Sequence, residues 1–434
     1  MDGSAEPRAR RVALVSLGCR VNRADTDALA AALGAGFAVA GEGEPADYVV
    51  VNTCTVTAGG DSASRRAIRR AAREHPGAPI LATGCYAELR PEALRALPGV
   101  AAVLGVRAQA RLPEVLAAME RSAPAGAAPA AGSPAPAGGA AAVLDRARAV
   151  VKVQDGCNAR CSYCVVPLAR GRSRSLAYDE AVARLAAAGA RHAEVVLAGV
   201  HLGAYGRDLA PRRTLGELVG AAARSGRLRR LRLSSVEPQE FPLEVLGGEA
   251  AEALCRHFHL PLQSGAGRVL AAMRRPYRPR QVAALVERLA AAGPSCCLGA
   301  DAMVGFPGET EVEHRESVRM LASLPLAYLH VFAWSPRPGA EAAALPDRVP
   351  AAAVRERRQE LLELSARRWR GFLETLVGRE LEAVVERVES GVARGTTREY
   401  ATVRWPAGGA RRGDLVRVRV TGCDGEACAG AVAG

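Results

Sequence analysis

The sequence predicts an α/β protein made of an N-terminal doubly wound α/β domain, a central incomplete parallel barrel of six β/α repeats, and a small C-terminal all-β barrel. Short apolar runs alternate with helical patterns near the N-terminus, and six more do so in the middle of the chain. The last part alternates apolar and polar residues between glycine and proline turns. The length of 434 residues fits two to four domains at roughly 100–200 residues each.

The N-terminal domain is predicted over residues 10–120. Amphipathic helical patterns at residues 22–34 and 61–74 follow apolar strands, an order typical of a doubly wound sheet. Residues 121–142 come next and consist almost entirely of Ala, Pro, Gly and Ser, so they predict a semi-flexible linker with no core of its own. The three predicted strands are RVALVS (11–16), DYVVVNT (47–53) and PILATG (79–84).

The central domain is predicted over residues 143–372. Six β/α repeats favour an incomplete parallel barrel with its chemistry at the carboxyl ends of the strands. Residues 351–375 have the pattern of a charged amphipathic helix. The six predicted strands are AVVKV (149–153), EVVLAG (194–199), LRRLRLSS (228–235), HFHLPL (257–262), LGADAMVG (298–305) and AYLHVF (327–332).

The last predicted domain, residues 375–434, has short alternating strands and glycine- and proline-containing turns, as expected for a small β-barrel. Its aromatic residues are few, mainly Tyr400 and Trp405. With so few aromatic side chains, this domain would recognise a partner through charge and shape more than through stacking. Its arginines include Arg394, Arg398, Arg404, Arg411 and Arg412.

The chain is basic, with 58 Lys and Arg against 45 Asp and Glu, a net charge of +13 and a pI near 9.6. Lys152 is the single lysine, so arginine carries almost all of the positive charge. Guanidinium groups bind phosphate in bidentate fashion, which makes nucleic acid a reasonable partner.

A cytoplasmic location without membrane attachment is expected. No stretch approaches the ~18–20 apolar residues that span a bilayer. The opening residues MDGSAEPRARR lack the apolar core of a signal peptide. In such a reducing compartment, eleven cysteines favour metal binding or catalysis over disulfides.

Three of the cysteines form a C-x3-C-x2-C pattern just after the first predicted strand of the central domain: Cys157, Cys161 and Cys164. Thiolates at this spacing can converge on one iron–sulfur cluster and leave one iron open. A zinc site is the alternative, but it needs a fourth ligand, and His192 lies well outside the loop.

Three other cysteines, Cys19, Cys54 and Cys85, each follow a predicted strand of the N-terminal domain. Ligands of open α/β sheets bind beyond the carboxyl ends of the strands, so these thiols could meet at one point. Taken singly, each could equally be a small buried apolar residue. Their repeated placement favours a second ligand set.

The chain resembles the radical S-adenosylmethionine methylthiotransferase family nearly end to end. The resemblance covers the three N-terminal cysteines, the C-x3-C-x2-C loop and a C-terminal TRAM-like RNA-binding barrel. Further family-like blocks are GVHLGAYG (199–206), LRLSSVEP (231–238), HFHLPLQSGAGRVLAAMRRPY (257–277), DAMVGFPGET (301–310) and LHVFAWSPRPG (329–339).

The resemblance implies a radical enzyme with two [4Fe–4S] clusters and S-adenosylmethionine as cofactors. Cys157, Cys161 and Cys164 would hold the cluster that binds and cleaves S-adenosylmethionine. Cys19, Cys54 and Cys85 would hold an auxiliary cluster that carries sulfur. Such chemistry requires an electron donor, for example a flavodoxin or ferredoxin, and a sulfur donor.

The resemblance is strongest to the tRNA enzymes that add a methylthio group to C2 of N6-threonylcarbamoyladenosine at position 37. Their N-T-C-T-V-T pattern is intact at residues 52–57, and their T-L-G-C-K-V-N pattern departs only at Ser16 and Arg20. The alternatives are methylthiolation of isopentenyladenosine in tRNA or of a ribosomal protein aspartate. A non-catalytic iron–sulfur regulator that binds RNA is the alternative from another class.

Four residues outside the two cysteine sets are predicted to bind the cofactor. Tyr163 lies within the cysteine loop and should pack over the cluster or cofactor. Glu237, Gln263 and Ser264 lie at the ends of predicted barrel strands. For Arg170, Arg172 and Arg174 two interpretations stay open, a solvated surface or contact with RNA phosphate.

Overall fold

The computed structural model describes residues 9–34, 36–41, 43–122, 146–293 and 295–433. These residues divide into two compact units. The N-terminal unit comprises the residues up to 145 together with Cys164–Gly171, and the C-terminal unit comprises Arg146–Tyr163 and Arg172–Gly434. The predicted linker lies outside the described residues, apart from Arg121, which ends a helix, and Ser122.

The N-terminal unit contains a fully parallel five-stranded sheet in the order β2-β1-β3-β4-β5. Alternate residues of its central strand face opposite sides, Val49 and Val51 one way and Val50 the other. Both faces are covered, which confirms the doubly wound prediction. The strands are β1 (Arg10–Ser16), β2 (Phe37–Val39), β3 (Tyr48–Thr53), β4 (Ile80–Gly84) and β5 (Val100–Gly105).

Apolar faces of the helices provide that cover. Ile68 of α2 packs with Val49 on one face, whereas Leu29 of α1 and Leu116 of α5 pack with Val50 on the other. The helices of this unit are α1 (Arg20–Ala32), α2 (Ala58–Glu74), α3 (Cys85–Leu89), α4 (Pro91–Arg95), α5 (Leu112–Arg121) and α6 (Val166–Arg170), with a 3-10 helix at Val106–Arg111.

All six predicted strands of the central domain are present in the C-terminal unit and form a partial barrel. The parallel pairs are β6 with β8, β8 with β9, β10 with β11 and β11 with β12, while β7 pairs antiparallel with β6. The amide of Val236 donates to the carbonyl of His259 at 3.2 Å and joins the two groups of strands. The strands are β6 (Arg148–Asp155), β7 (Arg174–Ser175), β8 (Glu194–Gly199), β9 (Leu231–Leu233), β10 (His257–Gln263), β11 (Cys297–Val304) and β12 (Tyr328–Ala333).

Helices pack on the outside of the partial barrel against one continuous apolar core. The predicted charged helix at 351–375 is observed as α13. Among the described residues, no helix combines the length and the apolarity that crossing a membrane requires. The helices are α7 (Tyr178–Gly189), α8 (Leu215–Arg224), α9 (Gly248–Ala253), α10 (Gly267–Ala272), α11 (Pro279–Ala291), α12 (Glu311–Ser323) and α13 (Ala351–Glu374), with 3-10 helices at Leu202–Ala204, Pro238–Glu240, Leu243–Leu246 and Glu341–Ala344.

The C-terminal residues form a closed barrel in the order β13-β14-β15-β17-β16, as predicted, here called the terminal barrel. Trp405 is only 2% exposed and lies in its core with Val403 and Val418. Its strands are β13 (Glu380–Glu389), β14 (Val392–Thr397), β15 (Thr402–Pro406), β16 (Leu415–Cys423) and β17 (Cys428–Val432).

A buried charge cluster joins the terminal barrel to the start of the partial barrel. The carboxylate of Glu194, the first residue of β8, accepts hydrogen bonds from Arg230 at 2.6 Å and Arg232 at 2.7 Å, and all three side chains are fully buried. Arg230 also donates to the carbonyl of Glu382, and Arg232 to that of Thr397. The two guanidinium groups therefore bond to both the carboxylate and the terminal barrel backbone.

Candidate active site

Cys19, Cys54 and Cys85 lie at three neighbouring strand-to-helix junctions of the N-terminal sheet. Cys19 immediately precedes α1, Cys54 follows β3, and Cys85 is the first residue of α3 directly after β4. Because β1, β3 and β4 are adjacent and parallel, the three residues share the carboxyl edge of the sheet. The strand order reverses between β1 and β3, and such a reversal is where open α/β sheets bind ligands.

Glycines allow this close approach. Gly18 has a φ of 87°, and a Cβ placed on it would lie 2.6 Å from the Sγ of Cys54. Gly84 has a φ of 97°, and a Cβ there would lie 2.4 Å from the Oδ1 of Asn52. Both positions therefore require glycine, which explains why glycine precedes Cys19 and Cys85.

Two of these three thiols have raised pKa values. Burial raises the pKa of Cys85 to about 11, and the nearby Cys19 and Cys54 thiols add to the rise. Burial likewise raises the pKa of Cys54 above its ordinary value. Binding to a metal centre, which deprotonates a coordinating thiol, would overcome these high values.

An arginine lies against this cysteine set. Arg170, the last residue of α6, donates its Nε–H to the Sγ of Cys85 at 3.2 Å. Its Nη2 group contacts Asn22 Oδ1 at 2.5 Å and Asp25 Oδ2 at 2.8 Å. The side chain is 3% exposed. Of the two interpretations of Arg170, the solvated surface and the RNA contact, neither describes this buried position.

Two asparagines hold the junctions together. The side-chain amide of Asn22 donates to the carbonyls of Leu17 and Thr53, each at 2.9 Å, and that of Asn52 donates to the carbonyl of Asn22 at 2.8 Å. These bonds tie the loop after β1 to the end of β3. The conformation around Cys19 and Cys54 is thereby fixed by buried hydrogen bonds.

Cys157 and Cys161 belong to the C-terminal unit and follow β6. The Sγ of Cys157 lies 3.4 Å from His201 Nδ1, and the other ring nitrogen of His201 lies 2.7 Å from Glu240. Burial opposes protonation of His201, but the hydrogen bonds with Cys157 and Glu240 raise its pKa to about 10. Arg275 donates to the Sγ of Cys161 at 3.2 Å. Both thiols thus have a basic side chain as neighbour.

Cys164 is grouped with the N-terminal unit. Its Sγ accepts a hydrogen bond from the backbone amide of Val166 at 3.4 Å. The Sγ of Cys157 accepts an equivalent bond from the amide of Ala159, also at 3.4 Å. Backbone amides aimed at sulfur are typical of cysteines that ligate iron–sulfur clusters.

A cavity of about 370 Å³ lies beside Cys161 in the C-terminal unit. Its wall combines the thiol with acidic and basic side chains, among them Arg207, His201, Glu237 and Arg275. Such a volume with a few convergent polar groups suits a small-molecule ligand.

The predicted cofactor residues occupy different environments. Glu237 lines the cavity and pairs with Arg275, and burial raises its pKa. Tyr163 packs at the edge of an apolar cluster that includes Met273, and its hydroxyl accepts a hydrogen bond from Arg275 at 3.4 Å. Glu237 at a strand end and Tyr163 in the cysteine loop therefore contact the same arginine, Arg275.

Gln263 and Ser264 are more enclosed. Gln263 ends β10 with a φ of 71° and is 7% exposed. The Ser264 hydroxyl lies 3.0 Å from the Ser317 hydroxyl and accepts a hydrogen bond from the amide of Ala266. Their contribution to cofactor binding stays a prediction, because these contacts are internal to the fold.

The interior face of the partial barrel carries a chain of polar rings. The Tyr328 hydroxyl lies 2.8 Å from His257 Nε2 and 3.0 Å from His259 Nδ1. His259 Nε2 in turn lies 2.9 Å from Asp301 Oδ1, and His330 Nδ1 lies 3.6 Å from the same oxygen. Because successive residues of a strand alternate between its two faces, His257 and His259 face the same way, and both are buried.

Replacing Asp301 by asparagine is expected to weaken the acid dependence of stability. Burial alone would raise the pKa of Asp301, but the hydrogen bonds with His259 and His330 lower it to about 2. A carboxyl with a depressed folded-state pKa stabilises above its unfolded value of 3.8 and loses that contribution as the pH falls towards 2. The contribution is about 2 kcal/mol in the free energy of unfolding. Urea unfolding at pH 6 and pH 3 measures roughly half of this contribution, because pH 3 still lies above the folded-state pKa.

The control for this prediction is Asp179→Asn, which changes an exposed carboxylate in the first turn of α7. This variant should keep the pH dependence of the wild type. If the free energy of unfolding of the Asp301→Asn variant depended on pH as strongly as that of the wild type, Asp301 would not be the source of this acid sensitivity.

The two aromatic residues named for the terminal barrel make internal contacts. Trp405 is buried in the core, and Tyr400 stacks on His257 with ring centroids 4.0 Å apart. Arg398 donates to the backbone carbonyls of Glu252 and Arg229. These three residues serve internal contacts. The other four arginines named in the sequence, Arg394, Arg404, Arg411 and Arg412, are exposed.

Three residues touch the cysteines through contacts that the sequence did not indicate: Arg170, His201 and Arg275. His201 follows the carboxyl end of β8, so the strand-end rule that selected Glu237 could also have selected it. Arg275 lies in an irregular segment after α10, and no local pattern distinguishes it from other arginines.

Comparisons with known proteins agree with this architecture. The uncharacterized protein family UPF0004 matches residues 11–105, and the Radical SAM superfamily matches residues 151–321. Threonylcarbamoyladenosine tRNA methylthiotransferase MtaB of Bacillus subtilis is 33% identical over 94% of this chain and 93% of its own length. The protein of the same name from Aquifex aeolicus is 36% identical over 86% and 92%.

Two further comparisons extend this picture. A tRNA-2-methylthio-N(6)-dimethylallyladenosine synthase of Novosphingobium aromaticivorans is 35% identical over 88% of both chains. The solved structure of the radical S-adenosylmethionine methyltransferase TsrM from Kitasatospora setae, with cobalamin and a [4Fe–4S] cluster bound, aligns with a TM-score of 0.55. That alignment covers 77% of each chain at 19% identity and indicates a shared fold.

The partial parallel barrel and the cysteine loop after its first strand define a radical S-adenosylmethionine enzyme, a class that uses an iron–sulfur cluster and S-adenosylmethionine. The loop suits such a cluster, because its donors are thiols and N–H groups already point at their sulfur atoms. The chain belongs to the methylthiotransferase family of this class and is of the MtaB type.

Proposed function

We propose that this protein adds a methylthio group to C2 of N6-threonylcarbamoyladenosine at position 37 of tRNA. The observation that carries the proposal is the second cysteine set at the carboxyl edge of the N-terminal sheet. A protein that only cleaved S-adenosylmethionine would have no use for three further soft ligands at a ligand-binding edge. The names of the MtaB relatives supply the substrate.

In this proposal the chain holds two [4Fe–4S] clusters. Cys157, Cys161 and Cys164 ligate the first, and chain connectivity keeps Cys164 within three residues of Cys161. Cys19, Cys54 and Cys85 ligate the second. Residues 10–120 would then form the auxiliary-cluster domain, 143–372 the radical domain and 375–434 the RNA-binding domain.

The bound cofactors supply radical chemistry that can activate a C–H bond, which side-chain acids and bases cannot do. The protein contributes position and charge. Arg275, which lines the cavity, contacts Cys161, Tyr163 and Glu237. His201, which also lines the cavity, links Cys157 to Glu240. These contacts would orient S-adenosylmethionine within the 370 Å³ cavity.

The remaining partners follow from the chemistry. Exposed arginines of the terminal barrel, such as Arg404 and Arg411, would contact the phosphate backbone of tRNA. An electron donor of the flavodoxin or ferredoxin kind would reduce the clusters, and a sulfur donor would replenish the transferred sulfur. A tRNA substrate agrees with the cytoplasmic location expected from the sequence.

Deleting the gene is expected to remove 2-methylthio-N6-threonylcarbamoyladenosine from tRNA and leave its unthiolated precursor. Mass spectrometry of digested tRNA nucleosides measures both species. A plasmid copy of the wild-type gene should restore the thiolated nucleoside, and a copy with Cys19→Ala should not. An unchanged nucleoside profile in the deletion strain would reject the proposal.

The same measurement separates the alternatives. If the deletion strain instead lost the methylthio derivative of isopentenyladenosine, that nucleoside would be the substrate. The name of the relative from Novosphingobium aromaticivorans refers to this dimethylallyl-modified adenosine. Unchanged tRNA with a lighter ribosomal protein would favour the aspartate substrate. Absence of S-adenosylmethionine cleavage by the reconstituted protein would favour a non-catalytic regulator.

A further inference from the structure

Arg170 has an unusual position for an arginine so close in sequence to the radical cluster loop. It follows Cys164 by six residues, yet its guanidinium lies among N-terminal residues at the auxiliary cysteine set. The side chain is 3% exposed, and so is almost completely removed from solvent. Burying a guanidinium is costly unless its charge is compensated.

The contacts divide between two edges of the guanidinium. The Nη2 group contacts the carboxylate of Asp25 at 2.8 Å and the amide oxygen of Asn22 at 2.5 Å. The Nε–H points to the Sγ of Cys85 at 3.2 Å. Asp25 is 4% exposed, so the anchor is as buried as the arginine. Asp25 and Asn22 thus hold the guanidinium of Arg170 in the orientation that donates to the Sγ of Cys85.

A neutral thiol is a weak acceptor, whereas a thiolate accepts a strong charge-assisted bond. The buried donor at Cys85 therefore suits the ligating form of this cysteine better than the free thiol. Hydrogen bonds and charges at the ligand sulfurs are among the factors that set the reduction potential of an iron–sulfur cluster.

We propose that Arg170 is a positioning residue of the auxiliary cluster, which stabilises the thiolate of Cys85 and raises the reduction potential of that cluster. Reduction adds one negative charge to the cluster, and the nearby guanidinium favours the more negative state. The carboxylate of Asp25 opposes reduction for the same reason while it holds the arginine. This inference rests on the proposed function, since it requires the second cluster.

Arg170 and Asp25 carry opposite charges, so removing each charge should shift the reduction potential in opposite directions. A purely structural role of Arg170 does not predict this result. Arg170→Gln removes the positive charge and should shift the reduction potential of the auxiliary cluster to more negative values. Asp25→Asn keeps an oxygen acceptor for the guanidinium but removes the negative charge, and should shift the potential to more positive values. Disturbed packing alone has no reason to produce opposite signs.

The measurement is a redox titration followed by electron paramagnetic resonance on the reconstituted full chain. Replacing Cys157, Cys161 and Cys164 together by alanine provides a background in which the auxiliary cluster gives the only signal. Arg172→Gln is the matched control, because Arg172 is exposed two residues further on and the charge change is identical. The control should leave the potential of this background unchanged.

Shifts of opposite sign support the assignment. Equal potentials in the background and in Arg170→Gln, or shifts of the same sign in both variants, would overturn it and leave the proposed function intact. If Arg170→Gln binds no cluster, the sign of the Asp25→Asn shift decides, and a negative or absent shift overturns the assignment. A background protein without any cluster would overturn both the assignment and the proposed second cluster.

Discussion

Replacing Cys157 by alanine is expected to abolish cleavage of S-adenosylmethionine, whereas replacing Cys19 by alanine should leave cleavage in place and abolish sulfur insertion into tRNA. The reason is that each residue supplies one of three ligands to a different cluster in the proposed function. Two thiolates hold a cubane poorly, so either change should reduce the iron content from about eight to about four per chain. Anaerobic assays of 5′-deoxyadenosine and of methylthiolated nucleoside measure the two activities.

Cys296→Ala is the control for both variants, because this cysteine is partly buried against the core of the partial barrel and belongs to neither set. It should retain both activities and the full iron content. Equal loss of cleavage in the Cys157 and Cys19 variants would contradict the division of labour between the two cysteine sets. Full iron content in the Cys19 variant would contradict its role as a ligand.

Replacing Glu194 by glutamine is expected to destabilise the C-terminal unit by about 3–5 kcal/mol, the usual cost of removing one partner from a buried ion pair. Burial alone would raise the pKa of Glu194, but Arg232 and Arg230 hold it well below its usual range. Without this carboxylate, two fully buried guanidinium groups lose the charge that balances them. Both also bond to the terminal barrel backbone, so its attachment should weaken as well.

Denaturant unfolding gives the loss of stability, and limited proteolysis reports early release of the terminal barrel. The matched control is Glu389→Gln, which removes the same charge from a pair with Arg387 in which both side chains are exposed. Such pairs contribute about 0–1 kcal/mol, so this variant should stay close to the wild type. Equal destabilisation by both substitutions would show that burial of the Glu194 cluster is not the cause.

The strands were predictable because their signal is local. Runs such as 47–53 and 194–199 are apolar over the length of one strand, and both are strands in the structure. The shorter β2 and the half-exposed β5 were not predicted. Neither has the continuous apolar run that marks a strand buried on both faces.

The charged side chains were much less predictable. Arg170, Arg398 and Arg404 look alike in sequence, since each is an arginine in a basic region. In the structure Arg170 is buried at Cys85, Arg398 binds backbone carbonyls, and Arg404 is exposed. A charge pattern predicts that a surface is basic, but it does not indicate which cations will find a buried partner.

The sequence alone determined the six ligand cysteines as candidates and the strand-end positions that they occupy, because strand patterns and the two Gly-Cys junctions are encoded within a few residues. Only the tertiary structure decided which side chains surround those cysteines. Arg170 meets Asp25 across 145 positions of sequence, and Arg275 meets Cys161 across 114. Hydrophobic periodicity specifies which face of an element is buried, whereas the identity of a distant partner depends on how whole elements pack.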